Sequence, residues 1–183
     1  MSDSRKAIID AAIAILSDPA GPRLTLDSAA RRAGLTKPGL MYHFPTKAAL
    51  VSAVIEDVME RWSDRLHAAL GKPLESSTSA ERIAAYVDTA LAGADHELPS
   101  LGVFFNAEHT EDVGAMWEAR LLPWVTIDES VMPDMRGKLT AARLAADGYW
   151  FASSGGWPIG AERESVRRAI RSLIAPPTEA FWY

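Results

Sequence analysis

The sequence predicts an all-α protein, and three observations support that fold class. Alanine and leucine recur at spacings of three and four residues along most of the 183-residue chain. The alternation of β-branched residues that is typical of strands is absent. Thr25, Thr36 and Thr46 each precede a periodic segment, at a position where a threonine hydroxyl can cap a helix. We therefore expect helices joined by short turns.

The first two helices are predicted from their periodicity and their end signals. The first is expected over 4–17 and ends at the DPAGP stretch, 18–22. The second follows Thr25 and ends before Gly34, because glycine readily adopts the positive φ of a tight turn. The apolar face of the first helix is expected to contain Ile8, Ala11, Ala12, Ile15 and Leu16.

Two more helices complete the N-terminal region. The third begins at Thr36, and Pro38 is tolerated there because the first helical turn has no intrahelical partner for its N–H groups. Thr46 caps a long fourth helix, which we expect from Lys47 to about Leu70. The segment 71–79, GKPLESSTS, then has the composition of a linker.

The rest of the chain predicts a helical body. Further helices are expected near 80–94, 98–109, 112–131, 137–154 and 162–175. We place the domain border at residue 50, so that 1–50 form a head and 51–183 form the body, with the fourth helix shared between them.

Charge is distributed unevenly between these two parts. The net charge is −5 overall. Residues 1–50 contain seven Lys/Arg and four Asp/Glu, a net charge of +3, whereas residues 51–183 contain twelve and twenty, a net charge of −8. A basic head on an acidic body is suited to a protein that approaches phosphates with one end only.

Composition also excludes several classes of protein. There is no cysteine, so disulfides and cysteine-based metal or nucleophile chemistry are excluded. The apolar run near the N-terminus is too short for a membrane span and lacks the flanks of a signal peptide. We expect a soluble cytoplasmic protein with no membrane partner and no cofactor.

Residues 25–50 predict a helix-turn-helix, in which one helix braces against DNA while the next lies in the major groove. The recognition helix is expected at 36–43. Lys37 is suited to guanine O6 and N7, and Thr36 to a base edge or a thymine methyl group. Gly39 has no side chain, so the backbone there can approach the groove wall.

Four further residues are predicted to bind phosphates. Tyr42 and His43 lie on or beside the exposed side of the recognition helix. Thr25 and Lys47 lie at helix N-termini, where backbone N–H groups and the helix dipole favour an anion. Together with Thr36, Lys37 and Gly39, these residues form the predicted DNA-binding set.

The string LTKPGLMYHFPTKAAL resembles the signature of the tetracycline-repressor (TetR) family of transcriptional regulators. The resemblance covers residues 5–51 and departs at Pro38 and Met41, where many members have a smaller residue and a second aromatic. It implies a homodimer with a helix-turn-helix head and a helical body that binds an effector and dimerises. The residues in register are Thr25, Ala29, Ala30, Gly34, Tyr42, Phe44, Lys47 and Leu50.

The last two predicted helices contain a candidate dimer interface. Small residues form a stripe on the first of them, and small stripes allow helices to approach closely. The last helix has an apolar face. The resemblance implies that both helices pair with their copies, and intrachain packing is the alternative. The predicted interface consists of Ala141, Ala145, Gly148, Ala152, Val166, Ile170 and Leu173.

Aromatic residues concentrated in the body predict an effector pocket for a small apolar or aromatic molecule. Ordinary core packing is the alternative for each of them. His109 with its acidic neighbours lacks the spacing of a metal site, so no metal is expected. The predicted lining consists of Phe104, Phe105, Trp117, Arg120, Leu121, Trp124, Tyr149 and Trp150.

These observations predict a sequence-specific DNA-binding repressor that a small effector releases from a palindromic operator. One alternative is a helical enzyme that transforms a small molecule, although no nucleophile or acid/base motif is present. The others are a regulator that senses a protein partner and a nonspecific DNA-coating protein, which would need a more basic surface.

Overall fold

A computed structural model describes residues 3–18, 21–92 and 110–175, with the backbone alone at 110–114 and 116–117. These residues form eight α-helices and a short 3₁₀ turn at Leu74–Ser76, without a strand, which confirms the predicted all-α class. The predicted helix over 98–109 lies outside the described residues. The helices are α1 (Asp3–Leu16), α2 (Leu26–Arg32), α3 (Lys37–His43), α4 (Lys47–Leu70), α5 (Ser79–Ala92), α6 (Thr110–Val125), α7 (Pro133–Ser154) and α8 (Arg163–Ile174).

The chain divides into two compact units. Of the described residues, one unit contains 3–18, 21–62 and 110–118, and the other contains 63–92 and 119–175. The division falls within α4, the helix that the sequence predicts to be shared. The predicted domain border at residue 50 remains a prediction.

The first unit has a core between α1, α2, α3 and the first half of α4. Leu40 and Phe44 of the α3 region are buried in it, and Leu26 and Leu35 are partly buried against it. The apolar face of α1 is wider than predicted, because Ile9 is buried as well as the predicted residues. Leu16, which was predicted to lie on this face, is only partly buried. Helices α2 and α3 both contact α1.

Ion pairs join α1 to α4 at the edge of this core. The Asp10 carboxylate lies 2.7 Å from Lys6 Nζ and 2.5 Å from Arg61 Nη2. Arg61 Nε lies 2.6 Å from an oxygen of Asp57 on its own helix. Partial burial would raise the pKa of Asp10, but the two cations outweigh it and hold that pKa below its usual value. Of these contacts, the Asp10–Arg61 pair links α4 to α1 within this unit.

A Schellman motif ends α2 and makes the turn into α3. Gly34 has a φ of 69°, its N–H donates to Arg31 O at 3.3 Å, and the Leu35 N–H donates to Ala30 O at 2.9 Å. Ala29 and Ala30 are buried where the short helices cross. The predicted glycine turn is therefore present, with the hydrogen bonds that satisfy the last carbonyls of α2.

Replacing Gly34 with alanine should lower the free energy of unfolding of the first unit by about 1–2 kcal/mol, because a Cβ disfavours left-handed backbone. No atom lies within 4 Å of the position that this Cβ would occupy, so the effect is one of backbone conformation alone. Urea denaturation followed by circular dichroism measures it. Gly137 lies in helix α7 of the second unit, and no atom lies within 4 Å of the position of its added Cβ. Gly137→Ala should therefore raise the free energy of unfolding of that unit by about 0.5–1 kcal/mol. Stabilisation by both variants would contradict the prediction.

In the second unit α5, α7 and α8 pack against one another. Their contact surfaces are apolar, and the fully buried side chains include Ile83 and Val87 of α5 and Leu139 of α7. No helix among the described residues combines the length and the apolar character that a membrane crossing requires.

Two helix boundaries differ from those predicted by four residues or more. Helix α6 ends at Val125 rather than residue 131, because contacts to α5 fix the chain just beyond it. Arg82 Nη2 donates to Thr126 O at 3.1 Å, and Ser79 Oγ donates to an Asp128 oxygen at 2.5 Å. Helix α7 begins at Pro133 rather than residue 137, because proline is preorganised for a first helical turn.

Candidate nucleic-acid interface

Helix α3 is held in place at its start and along its buried side. The Thr36 hydroxyl caps its start and accepts from the Gly39 N–H at 3.2 Å. Leu40 points into the core and has no exposed surface. Because the buried side is fixed by Leu40 and the start by Thr36, the opposite side of α3 faces solvent in a defined orientation.

Several of the predicted DNA-binding residues are exposed on α3 or at its start. Thr36, Lys37 and Gly39 are exposed in the first turn of α3, and the Tyr42 side chain is 85 % exposed in its last turn. His43 is half-buried, and its ring meets the Tyr42 ring edge-on with 5.2 Å between centroids. One short helix and its cap thus bring together a cation, one aliphatic hydroxyl group and an exposed phenol.

Thr25 and Lys47 lie at the helix N-termini where the sequence places them. Thr25 is the N-cap of α2, and its hydroxyl accepts from the Ser28 N–H at 3.0 Å while Ser28 Oγ accepts from the Thr25 N–H at 2.9 Å. Lys47 is the first residue of α4, directly after Thr46, whose hydroxyl caps that helix by accepting from the Ala49 N–H at 3.1 Å. Both helix starts retain the positive end of the helix dipole.

Asp27 is a member of this surface that sequence reasoning missed. Its carboxylate lies 2.9 Å from Lys37 Nζ, and the two side chains are 58 % and 50 % exposed. The pair joins the first turn of α2 to the first turn of α3. Residues ten apart in sequence become neighbours only through the turn at Gly34, so no local pattern could have identified the pair.

The predicted effector-lining residues have mixed positions. Phe104, Phe105 and the Trp117 side chain lie outside the described structure. Leu121 and Trp124 are buried within the second unit, and the Trp124 ring meets the His67 ring edge-on at 4.9 Å. Tyr149 and Trp150 are half-buried, and Arg120 is exposed. The contacts of the described members of this set do not define a pocket.

Polar side chains between α5 and α7 form a second feature that the sequence did not identify as a cluster. The Tyr86 hydroxyl donates to an Asp147 oxygen at 2.5 Å, and Arg143 Nε donates to the other oxygen at 3.1 Å. Burial and the neighbouring Asp147 carboxylate raise the pKa of Tyr86. One turn further along α5, the buried Thr89 hydroxyl has no hydrogen-bond partner among the described residues. The available signal was the spacing of Arg143 and Asp147, which lie four residues apart on α7.

Most of the predicted dimer residues lie at the surface of their own chain. Ala141, Ala145 and Gly148 of α7 are exposed, with Leu144 (56 % exposed) and Phe151 (41 % exposed) on the same side. Ala152, Val166 and Leu173 are half-buried. Ile170 is buried within its own chain and has little surface left for an interface.

The capped helix pair, its glycine turn and the cationic exposed face of α3 define a protein of the helix-turn-helix class. Comparison with protein families agrees over both parts of the chain. Residues 8–54 match the model for bacterial regulatory proteins of the tetR family, and residues 80–175 match the model for the tetracyclin repressor-like C-terminal domain. The chain belongs to the TetR family of transcriptional regulators, as the resemblance of its head implies.

Individual relatives are distant. The A-factor receptor protein of Streptomyces griseus is 26 % identical over 172 residues, which are 93 % of this chain and 59 % of that protein. A TetR-like regulator from Rhodococcus sp. RHA1 has a TM-score of 0.67 at 21 % identity, and the match spans 95 % of this chain and 94 % of that protein. A TetR-family regulator from Streptomyces coelicolor has a TM-score of 0.55 at 20 % identity, and the match spans 94 % of this chain and 98 % of that protein. The two structural likenesses support the fold alone.

Proposed function

We propose that the protein is a sequence-specific transcriptional repressor that binds a palindromic operator as a homodimer and leaves it when a small effector binds. The exposed face of α3 is the observation that carries this proposal. Lys37 and Tyr42 are both exposed to solvent on a helix that Leu40 anchors in a core. Since that helix follows a tight turn from α2, it has the form of an element that enters a major groove.

The residues of this face divide into two roles in the proposal. Lys37 and Thr36 read base edges, and Gly39 allows close approach of the backbone. Thr25, Tyr42, His43 and Lys47 hold phosphates on either side, which fixes the register of the head on the duplex. The site of action is the cytoplasm, where bacterial DNA lies.

Dimerisation is proposed through α7, with a contribution from α8. The exposed side of α7 combines small residues with Leu144 and Phe151, and large apolar side chains exposed on one helix face favour an interaction site there. A two-fold partner that uses the same surface would bury it on both chains. Two heads would then read two half-sites, which explains why a palindrome is expected.

The effector is proposed to be a small apolar or aromatic molecule that binds in the second unit. The name of the Streptomyces griseus relative describes a receptor, which favours ligand sensing here as well. The effector must bind more tightly to the state that does not bind DNA, because otherwise no equilibrium shifts. A tenfold loss of operator affinity requires a coupling of about 1.4 kcal/mol. We propose no catalytic activity, consistent with a family of regulators.

Selection of bound sequences from a random DNA pool, with the purified full-length protein, tests the function. The expected result is an enriched palindrome whose half-site centres are about 34–36 Å apart or a multiple of that distance. Equal retention of every duplex, with no enriched sequence after repeated rounds, would refute the proposal.

Lys37→Ala and Lys47→Ala should have different effects on DNA binding. Loss of a base-reading lysine should weaken operator binding by about 1–3 kcal/mol and random-duplex binding by less. Loss of Lys47 should weaken binding to all sequences similarly and reduce the salt slope by about one. Fluorescence anisotropy titrations on both duplexes at several salt concentrations measure these effects. Equal loss on both duplexes for Lys37→Ala would assign Lys37 to a phosphate instead.

A further inference from the structure

We propose that Asp27 is a specificity-determining residue, which acts by restraining the Lys37 ammonium so that it fits a base edge rather than any nearby phosphate. This inference rests on the proposed DNA-binding function and extends it to a residue that makes no favourable contact with DNA itself. The observation is the 2.9 Å ion pair between the first turn of α2 and the first turn of α3.

The number of donors on the ammonium determines what it can still bind. Lysine has three N–H donors, and Asp27 accepts one of them, so two remain for acceptors. Guanine presents two adjacent acceptors, O6 and N7, in the major groove. A lysine held by Asp27 therefore approaches such a base with its side chain already ordered, and less conformational entropy is lost on binding.

The same contact disfavours binding to random sequences. An unrestrained lysine is a mobile point charge on a four-carbon stem, and it can turn to whichever phosphate is closest. With Asp27 in place, that contact must first break an ion pair, and the carboxylate also repels the phosphate. The pair thus weakens the sequence-independent part of binding more than the sequence-dependent part.

Asp27 differs in this respect from other acidic residues near the N-terminus. Asp10 is paired with Lys6 and Arg61 at the side of α4. Asp3 is exposed in the first turn of α1 and provides a control that removes the same charge. A comparison of Asp27→Asn with Asp3→Asn therefore separates the restraint on Lys37 from the general effect of one fewer negative charge.

The test measures affinity of the full-length variants for the selected operator and for a random duplex of the same length, over a range of salt concentrations. Relative to Asp3→Asn, Asp27→Asn should bind the random duplex about two- to fivefold more tightly, the range expected for an exposed ion pair. Its salt slope on that duplex should steepen by about 0.9, equivalent to one more phosphate contact. Operator affinity should stay the same or fall, so the specificity ratio decreases. An unchanged ratio in Asp27→Asn would overturn the inference.

Two further variants show whether Asp27 acts through Lys37. In a Lys37→Ala background, Asp27→Asn should change the ratio no more than Asp3→Asn does. A persisting difference would mean that Asp27 acts without Lys37, which also overturns the inference. Asp27→Glu retains the charge and should restore most of the specificity ratio, whereas a ratio as low as that of Asp27→Asn would count against the restraint.

The proposed function and this inference fail in distinguishable ways. A wild-type protein without sequence preference refutes the function. A wild-type protein that discriminates, together with an Asp27→Asn variant that discriminates equally well, refutes only the role of Asp27.

Discussion

Leu40→Ala should lower the free energy of unfolding of the first unit by about 2–5 kcal/mol and weaken operator binding at temperatures where the variant head is partly unfolded. Leu40 has no exposed surface and lies in the cluster that joins α3 to its neighbours. Truncation removes its buried methyl groups and leaves a cavity that the short helices can fill only in part. Since whole domains are stable by only about 5–15 kcal/mol, the loss is a large fraction of the stability available to so small a unit.

Met41→Ala is the matched control for this change. Met41 is the next residue of α3 but is 41 % exposed, so its truncation should change stability by less than about 0.5 kcal/mol. Urea denaturation of both variants, followed by circular dichroism, compares the two positions. Because operator DNA binds only the folded head, excess operator should raise the melting temperature of Leu40→Ala. Equal stability of the two variants would contradict the buried position of Leu40.

The head could be predicted well because its signals are local. Thr25 and Thr36 cap helices within three residues of themselves, and Gly34 makes its turn through its own backbone. Such features are visible in a short stretch of sequence. The predicted starts of α2, α3 and α4 agree with the structure for this reason.

Contacts between distant residues could not be predicted in the same way. The Asp27–Lys37 and Asp10–Arg61 pairs depend on how the helices pack, and neither has a periodic signature. The end of α6 is determined by Ser79 and Arg82 of α5, more than forty residues earlier in the chain. Propensity along α6 itself gives no indication of that contact, which is why the sequence predicted a longer helix.

The residues that line the effector site could not be predicted, for a different reason. Aromatic residues at helical spacing suit both a pocket and a core, and the burial of Leu121 and Trp124 is compatible with either. The cluster of Tyr86, Asp147 and Arg143 shows that polar groups also occur among these helices. Which of these residues an effector contacts remains a prediction for ligand-binding measurements.

Gly148 lies near the centre of the exposed stripe on α7, where the proposed dimer contact would bury it. Gly148→Glu should convert the protein to a monomer and reduce operator affinity by at least about a hundredfold. Within its own chain the substitution is accommodated, since no atom lies within 4 Å of the new Cβ and glycine is a weak helix former. Between two chains, however, it places unpaired carboxylates in an apolar contact, which costs about 3–5 kcal/mol.

Sedimentation or light scattering gives the mass of the variant, and anisotropy gives its operator affinity. Ala68→Glu, on the exposed surface of α4, adds the same charge away from the stripe and should leave both the mass and the affinity nearly unchanged. A dimeric Gly148→Glu protein with normal operator affinity would show that α7 does not form the interface.

The oligomeric state and the operator affinity should change together, because the second half-site contributes only when both heads belong to one dimer. A Gly148→Glu monomer should still bind a single half-site with the affinity that the wild-type protein has for an isolated half-site. It should also retain its helical content and cooperative unfolding. Weak binding to a single half-site would instead mean that the substitution damages the head. Half-site affinity and cooperative unfolding together therefore distinguish loss of dimerisation from loss of folding.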